Sequence, residues 1–342
     1  MRFALLGAGV IGAVHARLIS TLHESDPRTE LAAVIDSDLD KATTLAKEHN
    51  SRAYAGAAEA YAAEEIDAVA VCLPSALHAD AAIEALDAGK HVLIEKPVDI
   101  TLEAADRIIA AQRRSGRTVS VISQRRFQPA AAFIKDAVDA GRLGRTTSGI
   151  AESAFFRPQA YYDSGDWRGT AAVDGGGALM NQGIHALDLL LWMLGKPVQV
   201  SAQTGRVAHQ DIEVEDLAAA TIRFENGAVG VLLASTAAYP GLPVRLSVHG
   251  DRGTAVMADD RLEYFHFSDR VAPAPLPSEE PLREGWSLVD NAHLAQYEDF
   301  VAAIRTGREP GVTLAAARRS LAVVLAVYES ARIGRPVDLQ ES

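Results

Sequence analysis

Residues 7–12 read Gly-Ala-Gly-Val-Ile-Gly and follow directly on the apolar run Phe3-Ala4-Leu5-Leu6. A glycine-rich turn between a buried strand and a helix opens a βαβ unit, and few other patterns restrict a fold so tightly. Gly7 permits the tight turn, Gly9 lets the backbone approach a pyrophosphate, and Gly12 lets the helix pack on the strand. The helix opens at Val10 and Ile11, where main-chain N–H groups are available to an anion. An amphipathic pattern follows (Ile11, Val14, His15, Leu18, Ile19), then a second apolar strand at 31–35 that ends in Asp36. An acid roughly twenty residues past the glycines is placed to hydrogen-bond an adenosine ribose. Its charge repels a 2′-phosphate, and Ser37, Asp38, Leu39 and Asp40 supply no cation before Lys41. The expected cofactor is therefore NAD rather than NADP, with Asp36 and Ser37 at the ribose.

Strand and helix patterns alternate over the first ~120 residues, which predicts a parallel sheet flanked by helices. After a helix at 39–50 and a short extended 52–54, a strand at 68–72 leads into Leu73-Pro74-Ser75 and a helix at 76–88. A strand at 91–94 ends in Glu95-Lys96-Pro97, a helix at 101–115 closes at Gly116, and a sixth strand follows at 118–122. Past a helix at 130–140, strands succeed one another without crossover helices: 146–155, 198–206, 216–224, 228–237, 244–249 and 254–258. Glu225-Asn226-Gly227 is a hairpin signal between two of them. The expected fold is α/β: a Rossmann domain at 1–122, then an α+β domain at 123–342 with an open-faced, mainly antiparallel sheet and a long helix at 177–194. Helices at 291–305 and 313–332 are expected to return to the first domain and cover its apolar faces. The strand around 229–234 is apolar on both faces, and helices can cover only one. The other is expected to meet a second copy, as homodimer or homotetramer. The proline-rich 271–287 reads as a surface loop.

The 342 residues suffice for two domains with sizeable cores. A net charge of −12 argues against nucleic-acid or anionic-membrane partners, which require a basic face. The one cysteine, Cys72, falls in an apolar strand and reads as a buried thiol. No apolar stretch is long enough to span a bilayer. Reading the N-terminus as a signal peptide would cost the first strand and its glycines. The expected location is the cytoplasm.

Two segments carry chemistry. Lys96 lies at the carboxyl end of the fifth strand, the side on which open parallel sheets bind ligands. There a lysine can polarise a carbonyl or stabilise an alkoxide formed as hydride leaves, and Pro97 restricts the backbone that aims it. The second segment runs Asp174-Gly175-Gly176-Gly177 into a helix bearing Asn181, His185 and Asp188. Asn181 and His185 are four apart and share a helix face, while Leu187, Leu190, Leu191 and Leu194 serve the core. The glycines are expected to leave N–H groups and room for a ligand. His209, His249, His266 and His293 show no mutual metal-ligand spacing, so no metal is expected.

Taken together, G-A-G-V-I-G, Asp36, Pro74-Ser75 with His78, E-K-P, and G-G-G-x-L-x-x-x-G-x-H-x-x-D resemble the Gfo/Idh/MocA family of oxidoreductases across the whole chain. The resemblance implies NAD(P)-dependent hydride transfer at a secondary alcohol or ketone of a sugar, cyclitol or derivative. Lys96 then corresponds to the family's catalytic lysine and His185 to its acid/base histidine. Leu73, Pro74, Ser75, His78, Glu95, Gln124, Trp167 and Arg168 are expected at the cofactor; Arg126, Tyr162, Asn181 and Tyr239 are expected at the substrate. Inositol dehydrogenase-like members carry aspartate where this chain has Asn181. Asn181-Gln182 instead resembles branches acting on pyranosides, anhydrosugars or nucleotide sugars. Two other functions compete: an NAD-dependent glycosidase that oxidises its substrate transiently, and a non-catalytic dinucleotide sensor or corepressor, which would need neither Lys96 nor His185.

Overall fold

A computed structural model of the chain describes residues 1–165, 167–268, 283 and 285–339. Asp166 and most of the proline-rich stretch 271–287 lie outside the described residues. The chain divides into two compact units: Met1–Gln124 with Val289–Arg318, and Arg125–Leu288 with Arg319–Ser342.

The first unit runs β1 (Arg2–Leu6), α1 (Val10–Ser25), β2 (Glu30–Ile35), α2 (Leu39–Glu48), β3 (Arg52–Tyr54), α3 (Ala57–Ala63), β4 (Ala68–Val71), α4 (His78–Asp87), β5 (His91–Ile94), α5 (Leu102–Ser115) and β6 (Val119–Val121). The strands form a wholly parallel sheet in the order β3-β2-β1-β4-β5-β6. The order reverses between β1 and β4, and ligands of such sheets bind outside the carboxyl ends at that point. Local chemistry sets the helix ends. The Asp38 side chain accepts from Lys41 N to cap α2, Thr101 accepts from Ala104 N to cap α5, and Gly116 ends α5 at φ +67°.

The second unit contains α6 (Pro129–Asp139), β7 (Thr146–Ala154), a short α7 (Gln159–Tyr162), α8 (Ile184–Leu194), β8 (Pro197–Gly205), β9 (Leu217–Phe224), β10 (Val229–Ser235), β11 (Arg245–Gly250), β12 (Gly253–Ala258) and β13 (Arg261–Phe267). The chain then forms α9 (Leu288–Thr306), most of which belongs to the first unit, α10 (Leu314–Ile333) and β14 (Val337–Asp338). In the first unit α9 lays Tyr297 edge-on to Phe3 of β1, 5.8 Å between ring centres. Gln296 donates to Val121 O and accepts from Ser123 N, so a buried amide satisfies backbone groups at the end of β6.

The second sheet has eight strands in the order β13-β12-β11-β7-β10-β9-β8-β14. It is antiparallel except for β7 beside β10, which run parallel. One face is covered by α8. A Cβ at Gly149 or Gly230 would meet Leu190 at 2.8 or 3.1 Å, so these glycines let helix and sheet touch. On the other face Ile150 and Val231 are 46% and 42% exposed, with Val229 and Tyr264 also exposed.

Two expectations are corrected. Strand β13 extends the sheet past the predicted last strand at 254–258. Its pairing with β12 shifts register between Val256 and Met257, so the buried residues Leu262 and Phe265 fall three apart rather than two. The long helix expected at 177–194 is instead a π-helical turn, Leu179–Gly183, leading into α8.

Candidate active site

In the first unit the glycine turn is shaped by close approach. Gly7 has φ +100°, and a Cβ there would lie 2.4 Å from Cys72 O; one at Gly12 would lie 2.0 Å from Gly7 O. A Cβ at Gly9 would meet nothing within 4 Å, so this side of the loop is open. No side chain caps α1, no acid occupies its first turn, and Val10 and Ile11 are exposed. An anion would find helix N–H groups there. Asp36 sits directly beneath: its Oδ2 accepts from Ala8 N at 2.8 Å and its Oδ1 from Asp38 N at 2.9 Å. Ser37 is exposed beside it. A cleft of about 440 Å³ adjoins, lined by Ala8, Asp38, Asp40, Lys41, Thr44 and Glu48. Lys41 pairs with Asp38 at 3.0 Å. The residues present therefore fit a dinucleotide: a cradle that side chains would fill, an uncapped helix, and an anchored carboxylate at the ribose position.

At the carboxyl ends of β4 and β5 two residues expected at the cofactor make internal hydrogen bonds. His78 is buried, and its ring bridges Pro97 O at 2.7 Å and Leu73 O at 2.8 Å. Burial pushes its pKa down. Its side chain holds the Leu73-Pro74-Ser75 loop to the Lys96-Pro97 turn. Glu95 also turns inward. Its Oε1 accepts from His15 Nε2 at 2.9 Å and its Oε2 from Lys96 N at 2.9 Å. Burial alone would raise this carboxyl. The hydrogen bond from His15 and the positive charge of Lys96 outweigh it, holding Glu95 well below the usual carboxylate range. Lys96 itself is half-buried, and the Lys96–Pro97 peptide is cis. Gln124 is buried with its Oε1 lacking a hydrogen-bond partner. Leu73 and Pro74 are half-buried and Ser75 buried, at the start of a 3₁₀ turn.

His15 and Tyr297 were not legible as site residues. Tyr297 OH reaches His15 Nδ1 at 2.6 Å, and His293 Nε2 stands 4.0 Å from Glu95 Oε1. His15, Glu95 and His293 are the one group among the described residues whose ligand atoms come within 4.8 Å of one another. The 2.9 Å between His15 and Glu95 is a direct hydrogen bond. It is shorter than the about 3.3 Å separating two ligands on tetrahedral zinc, so the group reads as a hydrogen-bonded core.

In the second unit the glycine run serves packing. A Cβ at Gly177 would lie 1.7 Å from Glu215 O, one at Gly176 would lie 2.2 Å from Tyr328 Oη, and one at Gly183 would meet Ala234 Cβ at 2.5 Å. Two of the N–H groups expected to await a ligand are taken: Glu215 accepts from Gly177 N and Leu179 N at 2.9 and 2.8 Å, and from Tyr328 Oη at 3.1 Å. Burial raises the Glu215 carboxyl, against these hydrogen bonds. The π turn so fixed carries Asn181, whose Nδ2 donates to Gly176 O at 3.1 Å. Asn181 and His185 are both half-buried. π turns occur frequently at functional sites.

Other expected contacts separate into two groups. Arg126 donates to both Asp188 oxygens at 2.7 Å and stacks on Trp192 at 5.3 Å; Tyr162 is buried, with its hydroxyl on Thr236 Oγ1 at 2.8 Å. Both side chains are engaged within this unit. Trp167 and Tyr239 remain exposed, and Arg168 stacks on Trp167 and Tyr161 at 4.5 Å each.

A dinucleotide cradle at the switch point of a six-stranded parallel sheet, joined in one chain to an open eight-stranded sheet, defines a Rossmann-type NAD-binding oxidoreductase. Residues 1–123 match the family model described as "Oxidoreductase family, NAD-binding Rossmann fold", and 132–256 match "GFO/IDH/MocA C-terminal domain". The chain belongs to the Gfo/Idh/MocA family. It is 28% identical to scyllo-inositol 2-dehydrogenase (NAD(+)) of Bacillus subtilis (strain 168), over 99% of this chain and 96% of that protein. It is 32% identical to inositol 2-dehydrogenase 2 of Saccharopolyspora erythraea, over 74% of this chain and 72% of that one. Among solved structures, the WlbA dehydrogenase from Bordetella pertussis in complex with NADH and UDP-GlcNAcA superposes with a TM-score of 0.88. Its identity is 30%, covering 100% of this chain and 99% of that one. No helix among the described residues is long and apolar enough to cross a membrane.

Proposed function

We propose that this enzyme oxidises a secondary alcohol of a sugar, cyclitol or sugar derivative with NAD. One observation carries the reading: an open glycine cradle anchored by Asp36 stands in one chain with both Lys96 and an Asn181/His185 pair on a π-to-α helix junction. A sensor needs the cradle alone.

Gly7, Gly9, Gly12 and Asp36 hold the dinucleotide, whose nicotinamide, when bound, supplies a hydride acceptor. Neutral His185 takes the proton of the reacting hydroxyl, Lys96 stabilises the negative charge that develops on its oxygen, and Asn181 orients a neighbouring hydroxyl. With an amide rather than a carboxylate at 181, proton transfer rests on His185 and Lys96. That favours a pyranoside, anhydrosugar or nucleotide sugar over inositol, and the resemblance to a dehydrogenase crystallised with UDP-GlcNAcA supports it. NAD is preferred over NADP because Asp36 faces the ribose position and Lys41, the first cation, is tied to Asp38. A second copy covers the exposed face around Ile150, Val229 and Val231 as homodimer or homotetramer, since apolar patches on one sheet face seldom stay open. The cytoplasm, where NAD is abundant and a lone buried thiol stays reduced, suits such an enzyme.

The test is NADH formation across inositols, aldoses, methyl glycosides, levoglucosan and UDP-sugars. Lys96→Ala and His185→Ala should each lower kcat by about 10²–10⁴ while NADH still binds. Oxidation should rise with pH as the histidine becomes neutral. Near-normal kcat in His185→Ala would remove its acid/base role. Hydrolysis of a glycoside without net NADH would favour the glycosidase instead.

A further inference from the structure

Beneath the turn that carries Lys96 lies a hydrogen-bonded chain drawn from three elements, all within the first unit. Tyr297 of α9 places its hydroxyl 2.6 Å from His15 Nδ1, His15 of α1 places Nε2 2.9 Å from Glu95 Oε1, and Glu95 Oε2 accepts from Lys96 N at 2.9 Å. His15, Glu95 and Tyr297 are all buried. A buried phenol must donate to an acceptor, and His15 Nδ1 is positioned to receive it. That assigns the ring proton to Nε2, from which it is donated to Glu95. Every member is then satisfied in one direction: Tyr297 to His15 to Glu95, with Lys96 N closing the other carboxylate oxygen.

We infer that His15 is a positioning residue for Lys96: through Glu95 it fixes an anion and the backbone under the lysine, keeping the Lys96 ammonium charged and in place. The inference rests on the proposed role of Lys96 and adds an anion that acts on its charge. Glu95 is surrounded by His15 and by His293 and Tyr297 of α9, with Cys72 at the end of β4, His78 of α4 and Lys96 itself. Asp99 acts on His78 in turn. Burial pushes the Cys72 thiol and the Tyr297 phenol far up and the His78 and His293 rings down, so these four stay neutral near pH 7. Glu95 is then the anion that this core presents to Lys96. The hydrogen bond from His15 favours this ionised form against burial and fixes the carboxylate in place. Remove that donor and the carboxylate keeps only the Lys96 N–H bond; it is no longer fixed beneath the lysine, and its charge acts on Lys96 less. An opposite charge within a few ångströms favours the charged form by about one pKa unit or more.

Lys96 can be titrated without a substrate, by trace labelling with acetic anhydride across pH and mass spectrometry of the Lys96 peptide, in the full-length protein with NADH-binding and melting controls. In His15→Phe, which keeps ring volume and removes the donor, the apparent pKa of Lys96 should fall by about one unit. Below that pKa labelling should be about tenfold faster. His15→Gln, whose Nε2 can still donate to Glu95, should restore the native titration; Glu95→Gln should reproduce the His15→Phe shift. Tyr297→Phe should shift it in the same direction by less, and with Glu95→Gln it carries the test if His15→Phe fails to fold. An unchanged Lys96 titration in folded His15→Phe, or in Glu95→Gln, overturns the inference. Undiminished turnover in Lys96→Ala would instead overturn the catalytic reading and leave the labelling result standing, so the two failures are distinct.

Discussion

Replacing Arg126 by methionine separates a structural cation from a substrate-binding one. Arg126 donates to both oxygens of Asp188 at 2.7 Å, and the paired side chains are 9% and 4% exposed. Losing one partner of such a pair strands a charge and costs about 3–5 kcal/mol. Asp188 would keep the Ser320 hydroxyl at 3.1 Å, but a neutral hydrogen bond contributes only about 0.5–1.5 kcal/mol. Against a native stability of about 5–15 kcal/mol, Arg126→Met should sharply lower the urea midpoint and the soluble yield. The double variant Arg126→Met/Asp188→Leu removes the stranded charge and should recover most of that loss, because apolar replacement of a buried pair is often neutral or stabilising. Denaturation of the wild type, both single variants and the double variant then gives a coupling energy of about 2 kcal/mol or more. Additive single losses, or an Arg126→Met protein with native stability and a raised KM alone, would refute the argument and return Arg126 to the substrate pocket.

Other perturbations read other parts of the molecule. Gly12→Ala puts a Cβ 2.0 Å from Gly7 O and should weaken NADH binding, followed by fluorescence titration, by at least about a hundredfold; native affinity would show that the loop relaxes easily. Asp36→Ser with Ser37→Arg removes the carboxylate held by Ala8 N and adds a cation, so the NADP/NAD ratio of kcat/KM should rise at least about tenfold; an unchanged ratio would place specificity elsewhere. Val231→Glu on the open face of the second sheet should reduce the mass measured by light scattering to that of a smaller species if a second copy covers that face, and leave it unchanged if none does.

The parallel sheet was legible because its signals are local. A glycine turn follows an apolar strand, strands and helices alternate, and Asp36, Gly89 and Gly116 punctuate them. The second sheet was legible in kind but not in pairing. The parallel contact of β7 with β10 joins segments some seventy-five residues apart, and no local pattern encodes it. β13 escaped because a register shift breaks the period-two alternation by which strands are recognised.

The site divides along the same line. Residues whose role is set by backbone approach, Gly7, Gly12 and Asp36, follow from a motif. Residues whose role is set by what they touch do not. Glu95, His78, Arg126 and Tyr162 each carry a polar head that a sequence reading assigns to a ligand, yet each satisfies a buried partner of its own unit. The reverse error hid His15, Tyr297 and Tyr328, which lie on helix patterns that read as core or surface, and Glu215, which falls just before the strand expected at 216–224. A buried polar group must be paired, and its partner is usually distant in sequence: 80 residues from His15 to Glu95, 113 from Glu215 to Tyr328. Motif reading therefore finds the residues at which a ligand can arrive and misses those that hold them still. In this chain the second set stands directly behind motif residues: His15 behind Glu95, and Glu215 behind the turn that carries Asn181.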